Sequence, residues 1–187
     1  MLPEARGDER LAEDVLKTAW IESPFGCLFM GELNGRLCLL SLGEADERPL
    51  LARLLRRLKG VHENGRAEGL SIYREVSAAL DAMAEGRAPD HVPPLALIGS
   101  AFQCQVWQAL RALPRGETIS YRALAERIGR PSAVRAVAQA VAANPIGFFV
   151  PCHRVIGSDG SLTGFAGGLS LKRRLLTLEG ALSASCS

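Results

Sequence analysis

The chain has 187 residues, is 48% hydrophobic and carries a formal net charge of +2, enough apolar material for one large globular domain or two small ones with ordinary cores. The opening MLPEARGDERLAEDV is charged and has no apolar signal core, and no stretch approaches the roughly 20 consecutive apolar residues of a membrane span, so a cytoplasmic protein without a membrane partner is expected. Five scattered cysteines (27, 38, 104, 152 and 186), with neither CxxC nor HxxxH spacing, argue against a disulfide framework and against a metal site.

The first half reads as α/β. GCLFMGELNGRLCLLSLG is two β-rich runs joined by Asn34-Gly35, residues that tolerate the positive φ of a type I′ hairpin turn. ERPLLARLLRRLKG spaces leucines as a helix does, with Gly60 as its stop, and YREVSAALDAMAEG makes a second helix ending at Gly86. PPLALIG reads as a short apolar strand, and His62 and His91 sit in polar, loop-like surroundings as surface residues.

The stretch from GRAPDHVPP to Gly99 clusters Gly, Pro and Asp and marks a boundary. We divide the chain into an α/β supporting domain, residues 1–97, and a mostly α domain, residues 98–187. Charge divides there too. Residues 1–99 hold 12 Lys/Arg against 16 Asp/Glu, a net of −4, whereas residues 100–187 hold 10 against 4, a net of +6. A basic half suits a polyanionic partner, although solvated arginines account for such a surface equally well.

SAFQCQVWQALRAL opens with Ser100 as an N-cap, sets Phe102, Val106, Trp107 and Leu110 on one face and halts at Pro114; Trp107 is read as core. TISYRALAERIG, ending at Gly129, and RPSAVRAVAQAVAAN, with Ser132 as candidate N-cap and its end at Asn144, then form a helix-turn-helix. The second of these helices is almost wholly Ala and Val, with Arg135 and Gln139 its only long polar residues. It is either a buried helix packed through small residues, or one whose smooth face enters a groove as narrow as the about 6 Å minor groove.

Asn144-Pro145 ends that helix, IGFFV reads as a short buried strand, and PCHRV follows. A thiol of ordinary pKa becomes a nucleophile only with a base, a cation or helix-terminal amides beside it, and Pro151, His153 and Arg154 offer candidates for these around Cys152. In a continued strand Cys152 and His153 would point to opposite faces, so they cooperate only if the chain turns at Pro151 or a water joins them. Glu179 is the sole carboxylate of the downstream SLKRRLLTLEG helix. An inert buried cysteine and a capping histidine are the competing readings, and GSDGSLTGFAGG is either a surface loop or one whose backbone amides approach a ligand closely.

Taken together, the PCHR tetrapeptide, the preceding Asn-Pro, the SYRALA and AVRAV helices and the LTGFAGG loop resemble the O6-alkylguanine-DNA alkyltransferases over about residues 100–180. The resemblance implies an RNase H-like first domain, a winged-helix second domain, and a single-turnover suicide transferase for direct-reversal DNA repair. It flips O6-alkylguanine out of duplex DNA and moves the alkyl group irreversibly to Cys152. On the family pattern His153 activates Cys152 through a water, Glu179 orients His153, Asn144 holds the turn and Tyr121 bonds guanine N3. Arg135 fills the gap in the duplex while Ser132, Ala136 and Gln139 face the minor groove. Val155, Phe165, Ala166 and Gly167 wall the pocket, and the carbonyls of Cys152 and Val155 accept from the guanine amino group. Many relatives carry Tyr and Ser where this chain has Phe165 and Ala166, so donors to O6 would be backbone amides. No cofactor, metal or obligate protein partner is implied. Three rival readings are a silent recognition module, disfavoured because Cys152 is retained, a helix-turn-helix transcription regulator, which would want more long polar residues, and a Cys-His-Glu hydrolase.

Overall fold

The structure, a computed structural model, describes residues 15–42, 44–58 and 61–183, with residues 44–48 as backbone only. The charged N-terminal stretch before Val15, the stop at Gly60, and Cys186 lie outside the described residues. β1 (Val15–Ile21), β2 (Leu28–Leu33) and β3 (Arg36–Leu42) form an antiparallel meander, and β4 (Val61–Asn64) adds parallel to β1, giving the order β3-β2-β1-β4. The Asn34-Gly35 turn has both residues at positive φ, +51° and +71°, as the hairpin reading requires. α1 (Glu44–Leu58) covers one face through Leu54, packed on Leu16, Phe29, Leu33 and Leu39. The other face, with Ala19, Leu28, Met30 and Leu40, belongs to the main core, which α2 (Tyr73–Ala84) joins through Val76 and Leu80. Cover on both faces is why β2 and β3 are apolar almost throughout instead of alternating.

The second half is helical: α3 (Ala101–Arg111), α4 (Tyr121–Arg127), α5 (Val134–Ala142) and α6 (Gly168–Leu178), with a two-stranded parallel pairing of β5 (Ile119–Ser120) and β6 (Val155–Ile156). Ser100 caps α3 in a reciprocal capping box with Gln103. Trp107 is core as expected, 1% exposed, and its indole donates to the Ala140 carbonyl at 2.9 Å, tying α3 to α5. His62 hydrogen-bonds Thr18 and His91 is exposed near Glu75, so neither joins a site. No described helix is long and apolar enough to cross a membrane.

Three local expectations need correction. PPLALIG makes only an isolated bridge, Leu95 with Leu37, because Pro93 and Pro94 bring no N–H donors to a ladder. Ser132 does not cap α5: the helix starts at Val134 with Ala133 at its N-cap and no side-chain cap bond, and it ends at Ala142, short of Asn144. IGFFV is not a strand. Ile146 makes one bridge to Leu40, through Leu40 N–H to the Pro145 carbonyl and Gly147 N–H to the Leu40 carbonyl, both 2.8 Å; the chain then turns sharply at Phe148, φ +67°.

Candidate active site

A 3-10 turn, Cys152–Arg154, follows Pro151 and so provides the change of direction that cooperation between Cys152 and His153 demands. Asn144 fixes the approach to it: its amide donates to the Val150 carbonyl at 2.8 Å and its carbonyl accepts from Ile146 N–H at 3.0 Å. Pairing of Ile119 with Val155 and of Ser120 with Ile156 sets Tyr121, the first residue of α4, beside this turn. Ser120 caps α4 through Ala123 N–H. The Tyr121 hydroxyl faces Gly164, lying 3.9 Å from where a β-carbon on that residue would sit.

His153 is 2% exposed, and its Nε2 lies 2.9 Å from Glu179 Oε1. Glu179 also accepts from Arg154, Nε to Oε2 and Nη2 to Oε1, both at 2.8 Å. Burial alone would push the Glu179 carboxyl up, but hydrogen bonds and charge from His153 and Arg154 hold it down at about 2. The capping-histidine reading is thereby overturned. Arg154, expected among the groups that could hold a thiolate, is instead bound to Glu179 and to the Leu113 carbonyl, bracing the carboxylate that meets the imidazole. His153 Nδ1 is buried without a hydrogen-bond partner among the described residues, the one ring nitrogen left for a bridging group.

Lys172, which the sequence reading missed, is a cation whose charge bears on Cys152. It is fully buried on α6, and its ammonium donates to the carbonyls of Val155 and Thr163, linking the active-site turn to the loop after it. Burial pushes the Cys152 thiol up, while an Asn144 hydrogen bond, the Lys172 charge and local backbone donors pull it down; burial prevails in the free protein. Cys38, buried without a cation, is pushed up to about 12, and burial also raises Cys104. Lys172 could have been suspected from its position: a lysine on the apolar side of an amphipathic helix, between Leu171 and Leu175, needs buried acceptors.

The loop after β6 closes over the turn. Phe165 is half-buried and meets His153 edge-on at 6.5 Å between ring centroids, and Ala166 is exposed. Gly167 is crowded: a β-carbon there would come 2.6 Å from Leu42, 2.8 Å from Leu171 and 3.0 Å from Phe165. The Val155 carbonyl already accepts from Lys172, and the Cys152 carbonyl accepts from Val155 N–H. On α5, Val137, Ala140 and Val141 are buried while Arg135, Ala136, Gln139 and, just before the helix, Ser132 are exposed. The helix therefore divides between the two readings, with a packed Ala/Val side and a low outer side from which Arg135 and Gln139 project. Among the described residues no group of three His, Cys, Asp or Glu side chains is placed to hold a metal ion.

Residues 101–181 match the family model described as 6-O-methylguanine DNA methyltransferase, DNA binding domain. The chain is 40% identical over 159 residues to the methylated-DNA–protein-cysteine methyltransferase of Mycobacterium leprae, covering 85% of this chain and 89% of that protein. With the protein of the same name from Methanosarcina mazei it shares 47% over 160 residues, 85% and 94% of the two chains. It is also 40% identical over 175 residues to the bifunctional transcriptional activator/DNA repair enzyme Ada of Escherichia coli, but spans only 47% of that protein's length. Among solved structures, Mycobacterium tuberculosis OGT in complex with DNA superposes with a TM-score of 0.70 at 36% identity, covering 89% of this chain and 93% of that one.

Proposed function

The chain belongs to the methylated-DNA–protein-cysteine methyltransferase family, and from that premise we propose that it repairs O6-alkylguanine in duplex DNA by moving the alkyl group to its own Cys152. The observation that carries this reading is the buried His153–Glu179 pair, with His153 Nδ1 left unpartnered, on the same turn as Cys152, whose thiol burial raises and Asn144 and Lys172 draw down. His153 takes the thiol proton through a water at Nδ1, with Nε2 held by Glu179. Cys152 Sγ then bonds to the alkyl carbon as the carbon–oxygen bond to guanine breaks. The electron pair stays on the base, which is neutralised by a proton and by a hydrogen bond from Tyr121 to N3. The product thioether does not hydrolyse, so each molecule acts once.

The target base has to leave the stack for in-line attack. The exposed side of α5, with Ser132, Ala136 and Gln139, is proposed to lie in the minor groove while Arg135 occupies the gap left by the flipped nucleotide. Phe165, Ala166, Gly167 and Val155 wall the pocket, and lacking hydroxyls at 165 and 166 they leave backbone amides as donors to O6. The carbonyls of Cys152 and Val155 accept from the guanine amino group, the latter sharing its second lone pair with Lys172. In this reading residues 98–187 act, residues 1–97 support them, and the protein works in the cytoplasm, where thiols remain reduced.

The test is a single-turnover incubation with duplex DNA containing one O6-methylguanine, followed by peptide mass analysis. One methyl on the Cys152 peptide, saturating at one per molecule and absent in Cys152→Ser, is expected. Tight binding without transfer would assign the chain to silent damage recognition instead.

A further inference from the structure

The approach to Cys152 consists of two γ-turns of opposite hand. Phe149 N–H donates to the Gly147 carbonyl at 2.8 Å across Phe148 (φ +67°), and Cys152 N–H donates to the Val150 carbonyl at 2.7 Å across Pro151 (φ −78°, ψ +68°). The second is the inverse γ-turn, a relaxed conformation that proline favours. The first is the rare form, and a bulky residue is held there only when its surroundings over-determine it. Gly147, one residue earlier, serves a different need, since a β-carbon there would come 3.1 Å from the Leu40 carbonyl oxygen, and the positive φ falls on the phenylalanine.

The ring that Phe148 meets comes from the other half of the chain. Its ring, 4% exposed, packs on Phe25 with centroids 4.9 Å apart and planes at 37°. Phe25 sits in the turn between β1 and β2, which locks itself. Ser23 Oγ donates to the Gly26 carbonyl at 2.6 Å and accepts from Phe25 N–H at 3.2 Å, and Gly26 takes φ +105°. On its other side Phe25 carries the Arg174 guanidinium 5.0 Å from its centroid, and Arg174 donates to the Pro24 carbonyl at 3.2 Å. Phe148 in turn lines a small cavity with His153 and Glu179.

We propose that Phe25 and Phe148 are positioning residues for Cys152. The ring contact keeps residue 148 left-handed, and the paired turns then deliver the thiol to its place beside His153. Neither side chain needs to touch DNA or the reacting atoms. The inference rests on the function proposed above, and concerns which residues of the first half set the geometry of that reaction.

The experiment measures two quantities on the full chain: affinity for O6-methylguanine duplex, by anisotropy with Cys152→Ser in each background, and the first-order transfer rate at saturating duplex. Phe25→Ala is expected to leave affinity within about twofold and to slow transfer by about tenfold or more, as small misplacements of reacting groups do. Phe25→Leu, which keeps apolar volume against Phe148, is expected to recover most of the rate. Phe148→Gly, whose backbone reaches positive φ freely but has no ring to be held, is expected to be slow as well, and carries the test if Phe25→Ala does not fold. Transfer at the parent's rate in a folded Phe25→Ala or Phe148→Gly, or a loss in affinity with no loss in rate, would overturn the proposal. A parent protein that transfers nothing would overturn the proposed function instead.

Discussion

Glu179 receives three hydrogen bonds from His153 and Arg154, and its carboxyl is held at about 2 against an ordinary 4.5. A carboxyl depressed in the folded state stabilises the protein above its unfolded pKa, and that contribution is lost as pH falls from about 4.5 through about 2. Its size is up to about 3 kcal/mol. The gap in melting temperature between the parent and Glu179→Gln is therefore expected to be widest near neutrality and to close across that window, which acid titration by circular dichroism would read. Lys172 is the opposite case, a cation made less basic by burial and retained because two carbonyls need it. Lys172→Met leaves both carbonyls without that donor, at a cost of about 1–3 kcal/mol. It also removes the charge that opposes burial of the thiol, so alkylation of Cys152 by iodoacetamide is expected to slow about tenfold.

At the scale of elements, α3 carries structural signals and α5 the side proposed to face DNA. The Ser100–Gln103 capping box satisfies donors at an exposed helix end, remote in role from the thiol. Ser100→Ala should cost about 1 kcal/mol of stability and leave methyl transfer unchanged, a pair of outcomes that thermal melting and the transfer assay check together. Arg135 is exposed on α5, whereas Val137, Ala140 and Val141 of the same helix are buried. Arg135→Ala is expected to leave iodoacetamide reactivity of Cys152 intact while weakening repair in duplex DNA. Equal repair by mutant and parent would remove the role given to this side chain.

At the scale of the molecule, the basic character of residues 100–187, +6 against −4 for the rest, makes duplex binding salt-dependent through counterion release. Raising salt from about 50 to about 200 mM should weaken DNA binding by an order of magnitude or more, with little change in alkylation of Cys152 by a small neutral reagent. The two halves also meet mechanically. The edge strand β3 hydrogen-bonds the segment after Asn144 through Leu40, and Leu42 crowds Gly167 of the loop over the site.

The hairpin at Asn34-Gly35, the helices with their Ser100 and Gly86 ends, and the change of direction at Pro151 were legible in the chain, because each depends on neighbours a few residues apart and on the steric rules of Gly, Pro and polar caps. So was the grouping of Cys152, His153, Asn144 and Glu179, through family resemblance and not through spacing. The left-handed Phe148, the bracing of Glu179 by Arg154 and the cation supplied by Lys172 were not. Periodicity shows that a side chain is buried, never which distant group it meets. IGFFV has the composition of a strand, and after its one bridge to Leu40 the Asn144 clamp and the left-handed Phe148 against the ring of Phe25 turn it aside. Sequence determined the hairpin, the helices and which residues could do chemistry; tertiary packing decided the fate of PPLALIG and IGFFV and which charges bear on the thiol, because those partners come together only when long chain separations are closed by burial of a common core.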